Sequence, residues 1–318
     1  MFHKMAYPVA MPSGFLNVNK PPGPTSHDVV AAVRRRLPRR PKVGHAGTLD
    51  PFAEGVLVLC VGPATRLADY VQAAAKRYRA TVRLGATSST DDTEGEIAEL
   101  RIADRGLRIG DTGAPSPDTS AIRATLARFV GEIEQVPPAF SAVHVDGRRA
   151  YELARRGRDV RLAPRKVTVH SVELLAYDWP RLEIDVLCGG GTYVRALARD
   201  IGAALGVGGY CARLIRTAVG AFTIDKAIVP DDLDVERDLL SPLTAVAHLP
   251  RWTADERQEH SLRNGNAIDL DTPPRAGAVA MLDGRGRLLG IGRIEPGGRR
   301  LYPRRVFPYD EAQGQTGH

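Results

Sequence analysis

The chain reads as an α+β protein with a small β-rich unit at 246–309. Three observations predict this. Strand-like runs, alternating or continuously apolar, recur at 15–19, 56–61, 78–84, 166–176 and 182–188. Helical periodicity falls between them, at 26–37, 64–75, 120–130 and 193–205. After an acidic, proline-containing stretch at 231–250 the character changes, and short strands flank an Asp283-Gly284 turn signal.

Residues 1–13 read as a loose tail and Phe15–Asn19 as a strand. Pro21-Pro22-Gly23-Pro24 ends it, because proline donates no ladder hydrogen bond. Ser26 is the predicted N-cap of a helix reaching Leu37, with Val29, Val30, Val33 and Leu37 on one face. Arg34, Arg35, Arg36, Arg39, Arg40 and Lys42 form a basic patch. A loop from Gly44 to Gly55 precedes the buried strand Val56–Val61 and a helix over 64–75. In the next strand Tyr78, Ala80, Val82 and Leu84 share a face. Gly85 to Gly95 is an acidic, Ser/Thr-rich loop, and 103–117 reads as a surface connection. The helix near 120–130 aligns Ile122, Leu126 and Phe129. Asp146-Gly147 signals a turn, and 148–166 is a second basic stretch. Leu182, Ile184, Val186 and Cys188 alternate, after which Gly189-Gly190-Gly191 opens the helix 193–205. A third basic cluster lies at 299–305, and 310–318 is a tail. The domain boundary is placed between 245 and 246.

The balance of 44 basic against 37 acidic residues leaves a net charge of +7. Only six of the basic residues are lysines, so arginine dominates. Guanidinium forks match phosphate oxygens and stack on bases, which suits a nucleic-acid partner. Arginine-rich coding in a GC-rich genome produces the same bias. Cys60, Cys188 and Cys211 are odd in number and sit in apolar stretches. They read as buried thiols rather than a disulfide framework or a zinc site. No apolar run is long enough to span a membrane and the start lacks a signal-peptide core, so a cytoplasmic location is expected. No H-E-x-x-H or P-loop occurs; no metal and no cofactor are expected.

Four residues stand out chemically. Pro51 biases Asp50 toward extended geometry and stiffens the presentation of its carboxylate. An Asp-Pro loop turn is the plain alternative. Thr192 reads as an N-cap that places Arg195 in the first turn of its helix, where a cation opposes the dipole. An anion beside it would explain that placement, either a phosphate or a buried carboxylate such as Asp50. Tyr78 is either a core aromatic or a ring that stacks on a base. His45 reads as an exposed or structural histidine, or as a group filling the space an extruded base vacates.

Several segments in order resemble the TruB family of pseudouridine synthases. They are Asn19-Lys20-Pro21-Pro22-Gly23, Val43 to Pro51, Lys76-Arg77-Tyr78, Leu84-Gly85 with Thr90-Asp91-Asp92, Gln135 to Pro138 with Phe140-Ser141-Ala142, Gly191 to Arg195, and Leu214 to Thr217. The resemblance spans about residues 14–225. It implies a mixed, mostly antiparallel sheet flanked by helices over 14–245. It implies Asp50 as the catalytic aspartate, Tyr78 stacked on the target base and Arg195 holding Asp50 ionised. His45 would take the flipped base's place, Lys20 would support the active-site loop, and Tyr193 and Leu214 would line the uracil pocket. The segment 130–165 would clamp the RNA, and the C-terminal unit faintly resembles a PUA domain. The implied partner is the tRNA T stem-loop, modified at uridine 55 by a monomer without guide RNA. Asn19, Phe52 and Glu54 depart from the family's usual residues. Competing readings are a non-catalytic RNA-binding protein, a guide-dependent relative, and a glycoside hydrolase using Asp50 and Glu54.

Overall fold

The computed structural model describes residues 12–37, 41–100, 116–141, 144–145, 148–149 and 162–307. Strand β1 is Gly14–Lys20, followed by helix α1, Ser26–Arg36. Strands β2, Val43–His45, and β3, Glu54–Val61, flank the Asp50 loop. A 3₁₀ turn over Gly62–Leu67 runs into α2, Ala68–Ala73. Then come β4, Lys76–Leu84, the short pair β5, Ala86–Ser88, and β6, Ile97–Glu99, and α3, Thr119–Ala127. Strand β7 is Gly131–Gln135; β8, His144–Val145, and β9, Arg148–Arg149, pair with each other. Long strands β10, Arg165–Asp178, and β11, Arg181–Cys188, lead to α4, Val194–Ala204. Strands β12, Gly209–Val219, and β13, Phe222–Thr223, complete the large sheet, and α5 is Val235–Asp238.

That sheet has the order β1-β3-β12-β4-β11-β10-β7, with β2 paired to β3 and β13 to β12. The β3–β12 pair is parallel, through Ile215–Glu54 and Arg216–Gly55, and the other pairs are antiparallel. The expected mixed, mostly antiparallel sheet is what forms. Its order places β12, carrying Leu214 and Arg216, between β3 and β4, beside the Asp50 loop and Tyr78.

The C-terminal unit holds β14, Arg251–Thr253, α6, Glu256–Arg263, β15, Ile268–Asp269, β16, Gly277–Leu282, β17, Leu288–Ile294, and β18, Arg300–Val306. Its five strands run β14-β16-β17-β18-β15. Asp283 closes the β16–β17 turn, accepting from the backbone N–H groups of Arg285 and Arg287.

The sequence expectations need four adjustments. Ser26 is not the cap of α1. Thr25 is, through a reciprocal box with Asp28. Thr192 does not cap α4; Tyr193 stands at that position without a side-chain bond. The helix expected over 64–75 is a 3₁₀ turn and a short α-helix, with Pro63 in the first turn. The Gly85–Gly95 loop includes strand β5. Residues 1–11 of the expected N-terminal tail, the expected tail at 310–318, residues 103–115 of the expected connection, the Asp146-Gly147 turn, and residues 142–143 and 150–161 of the RNA clamp expected at 130–165 lie outside the described residues. Cys60, Cys188 and Cys211 are buried and unbridged, and burial pushes the first two thiols up to about 12 and about 11.

Candidate active site

The site grows from the loop between β2 and β3. Three structural clasps set Asp50 there. Ser26, free of capping duty, accepts from the Leu49 N–H and donates to the Leu49 carbonyl, both at 2.9 Å. The Lys20 ammonium donates to the carbonyls of Pro21, Pro24 and Pro51 at 2.8–3.1 Å. The Arg216 guanidinium donates to the carbonyls of Gly47, Thr48 and Val56 at 2.7–3.1 Å. All three side chains are buried. A lysine ammonium has three donors, and here all three are used.

Arg195 reaches this loop from the first turn of α4. Its Nε lies 2.9 Å from Asp50 Oδ2, and its Nη2 donates to Asp50 Oδ1 at 3.3 Å. Nη1 donates to Asp92 Oδ2 at 2.7 Å and to the Thr90 carbonyl at 3.0 Å. Nη2 also donates to the Phe140 carbonyl at 3.0 Å. One buried guanidinium therefore serves two carboxylates and two strand-connecting segments. Of the anions considered from sequence, a buried carboxylate is the one the fold supplies. The α4 terminus is anchored by Gln135, whose Nε2 donates to the Tyr193 carbonyl at 3.1 Å. Its Oε1 accepts from the Tyr193 N–H at 2.8 Å.

The electrostatics are a contest. Burial pushes the Asp50 carboxyl above the usual range, and Asp92 adds to the rise. Arg195, Arg216 and Lys20 oppose it. The Asp50 side chain is 32% exposed, so water moderates the rise. Burial lowers Lys20 to about 8, while Asp50 pulls it back up. Arg195 is held protonated by Asp50 and Asp92 against the effect of its own burial.

The other predicted residues fall as follows. Tyr78 is buried in the main core and lies within the fields of Arg216 and Asp50. Tyr193 lies in the field of both Asp50 and Arg195. Leu214 is buried in the same core cluster as Tyr78, opposite Ala80 of β4. His45 sits on β2 against His27, ring centroids 6.0 Å apart and nearly perpendicular. The sequence reading assigned no role to Asp92 or Arg216, although both lie in motifs it singled out. Glu54, the second acid of the hydrolase reading, is taken by Arg213 at 2.7 and 2.9 Å. Among the described residues, no group of three or more His, Cys, Asp or Glu could hold a metal ion. No described helix is long and apolar enough to cross a membrane. An apolar hollow of about 400 Å³ between Tyr70, Phe222 and His248 includes none of the predicted site residues.

Comparison with solved structures gives the class first. The fold superposes on the Cbf5-Nop10-Gar1 complex with a TM-score of 0.68 at 26% identity, covering 93% of this chain and 85% of that one. An H/ACA RNP bound to a substrate RNA containing 2′-deoxyuridine gives 0.68 at 24% identity, covering 94% and 86%. The profile of the N-terminal domain of TruB family pseudouridylate synthase matches residues 34–194, and that of the C-terminal domain of pseudouridine synthase II TruB matches 250–307. The chain belongs to the TruB family. The tRNA pseudouridine synthase B of Leifsonia xyli subsp. xyli is 44% identical over 306 residues, 94% of this chain and 98% of its own. That of Thiobacillus denitrificans is 42% identical over 300 residues, covering 92% and 95%.

Proposed function

We propose that this protein is a pseudouridine synthase that converts the uridine at position 55 of the tRNA T loop to pseudouridine, with Asp50 as its catalytic carboxylate. The curated relatives named tRNA pseudouridine synthase B support the reaction and the substrate class. The observation that carries the residue assignment is the Asp50–Arg195 pair. A carboxylate with a third of its surface open is gripped from behind by a buried guanidinium on a rigid helix.

The reaction breaks the N1–C1′ bond and forms a C5–C1′ bond; N1 ends with a proton and C5 gives one up. Neither oxidation nor an energy carrier is needed. An ionised Asp50 attacks C1′, adds to C6, or takes the C2′ proton. Each route needs the charge that Arg195 favours, and the raised affinity of Asp50 for a proton makes its carboxylate a stronger nucleophile and base than an ordinary one. Tyr78 stacks on the base beside Asp50, Tyr193 and Leu214 bound the uracil, His45 occupies the emptied position, and Lys20 keeps the loop in place. Leaving the stack costs about a few kcal/mol, which phosphate contacts from the arginine-rich surface offset. The enzyme acts as a monomer, in the cytoplasm, without guide RNA.

Tritium release from C5-labelled uridine in a tRNA transcript tests this. Wild type releases tritium with no added RNA or protein, and Asp50→Asn releases essentially none while still binding tRNA. Equal release by the two proteins would reject Asp50. Dependence on a second RNA would reject the stand-alone reading, and free uracil as product would indicate hydrolysis.

A further inference from the structure

We propose that Arg199 is a positioning residue for this reaction, holding Asp91 so that the Arg195 guanidinium remains committed to Asp50 and Asp92. The proposal rests on the reading of Asp50 as the reactive carboxylate.

Arg195 and Arg199 stand one turn apart on α4, so their side chains leave the same face. Asp91 and Asp92 are adjacent in sequence and point at them as a matched pair. Arg199 Nη1 donates to Asp91 Oδ2 at 2.7 Å, as Arg195 Nη1 does to Asp92. The match continues on the other side. Arg199 Nη2 donates to the Val136 carbonyl at 2.9 Å, as Arg195 Nη2 does to that of Phe140. Two parallel forks thus tie the 90–92 turn to the 136–140 segment across the end of α4. The turn needs holding. Asp91 has φ 62°, the one positive value outside glycine among the described residues. Such a conformation is unfavourable for a side chain and persists where its surroundings over-determine it. Here the Asp91 carbonyl accepts from the Cys211 N–H at 2.9 Å, and the side chain is held by Arg199.

The charge count shows what Arg199 prevents. Asp91 is buried. The charged groups around it are Arg199, Arg195 and Asp200. Those around Asp50 are Arg195, Asp92, Arg216 and Lys20. Tyr78, Tyr193 and Cys211 also lie in the field of Asp50. Asp200, which Arg199 also contacts at 2.9 Å, is partly exposed and served by water. Without Arg199, the cation left to Asp91 is Arg195. One guanidinium then divides among three carboxylates, its hold on Asp50 weakens, and Asp50 keeps its proton to higher pH. Neither Arg199 nor Asp91 need touch the nucleotide for this to act.

The test is the pH dependence of kcat for tritium release, measured with wild type, Arg199→Gln, Arg199→Lys, Asp91→Asn and the Asp91→Asn/Arg199→Gln double variant. Asparagine tolerates the left-handed backbone, so the Asp91 change spares the turn. The acid limb of Arg199→Gln is expected to move up by about half to one pH unit, with KM for tRNA changed less than kcat at pH 6. Arg199→Lys, which keeps a cation beside Asp91, stays near wild type. The double variant, which removes the competing carboxylate along with its partner, returns toward the wild-type limb. An unmoved limb in Arg199→Gln would overturn the proposal. So would a double variant displaced as far as Arg199→Gln alone, the pattern of a merely structural role. Activity retained by Asp50→Asn would overturn the Asp50 reading and this inference with it, a result separable from either of those.

Discussion

At the scale of single residues, the site holds two ions whose burial works against folding, in opposite senses. The proton affinity of Asp50 is raised in the fold, chiefly by burial. Its contribution to stability is therefore present at low pH and is lost as pH rises through its folded value. On the proposed role of Asp50 the reaction needs the ionised form, so activity is expected to rise over that same window. Asp50→Asn is accordingly expected to lower kcat at least ~10³-fold while melting at a higher temperature than wild type at pH 7. The gain should shrink as pH falls through the folded value of Asp50, where the wild-type carboxylate takes up its proton. Calorimetry across that range checks it, and a lower melting temperature at pH 7 would show that the arginine outweighs the burial. Lys20 is the mirror case. Its value falls to about 8 from 10.5, so stability from this group improves as pH rises from about 8 toward the unfolded value. The ammonium's three carbonyl bonds, however, need the proton. Activity is expected to decline above about pH 8 while the melting temperature does not, and Lys20→Met should lower kcat roughly tenfold with less effect on KM. Asp50 and Arg195 were legible in sequence because each breaks a local rule, a stiffened acid in a glycine-rich loop and a cation at a helix start. Asp92 and Arg216 were not given roles, because their partners lie 103 and 160 positions away. No local spacing encodes such a meeting.

At the scale of elements, sequence found the Asp50 loop but could not rank its glycines. Gly44, Gly47 and Gly55 are indistinguishable as residues of that loop. In the fold Gly55 has φ +107°, and a Cβ there would lie 2.3 Å from the Arg216 carbonyl oxygen of β12. Gly47 has φ +119° but a Cβ there would meet Arg216 Nη1 at an ordinary 3.9 Å, and Gly44 has neither constraint. Gly55→Ala is expected to cost about 2–4 kcal/mol, since it strains the backbone and pushes apart the parallel β3–β12 pairing that seats Arg216 under the loop. Gly44→Ala should be nearly neutral. Urea unfolding of the two variants decides this, and equal stability would show that β3 and β12 can part without loss. The capping of α1 carries a similar lesson. Thr25 and Ser26 are both good caps, and composition alone cannot choose between them. Tertiary structure chooses Thr25, because Ser26 is needed against Leu49, one residue from Asp50. The strands themselves were legible almost throughout, since alternation such as Tyr78-Ala80-Val82-Leu84 records directly which face is buried.

At the scale of the molecule, strand β3 explains how the two units are joined. Its continuous apolar run reads as a strand buried on both faces, and each face has its own occupant. Leu57, Leu59 and Val61 enter the main core under α1 and β4. Val56, Val58 and Cys60 enter a second cluster, which also contains Ala280 of β16, Ile291 of β17 and Phe307. Arg305 adds a polar seam, pairing with Asp69 at 2.7 Å and lying 5.6 Å over the Tyr70 ring. The C-terminal sheet thus covers the back of the strand whose leading end carries the Asp50 loop. Units that share a buried cluster unfold together, so a single transition is expected rather than two. The chain's two tryptophans can report it separately: Trp179 lies between β10 and β11, and Trp252 on β14. In Trp252→Phe and Trp179→Phe backgrounds the remaining fluorophore should give the same melting midpoint. Ile291→Ala, which empties a fully buried position, should lower both midpoints together by the equivalent of about 2–4 kcal/mol. If Trp252 alone moves while Trp179 keeps its midpoint, the C-terminal unit is an independent appendage and the back of β3 is stable without it. If both move, the basic cluster at 299–305 is fixed in space relative to Asp50, and any RNA contact it makes acts at a set distance from the target uridine.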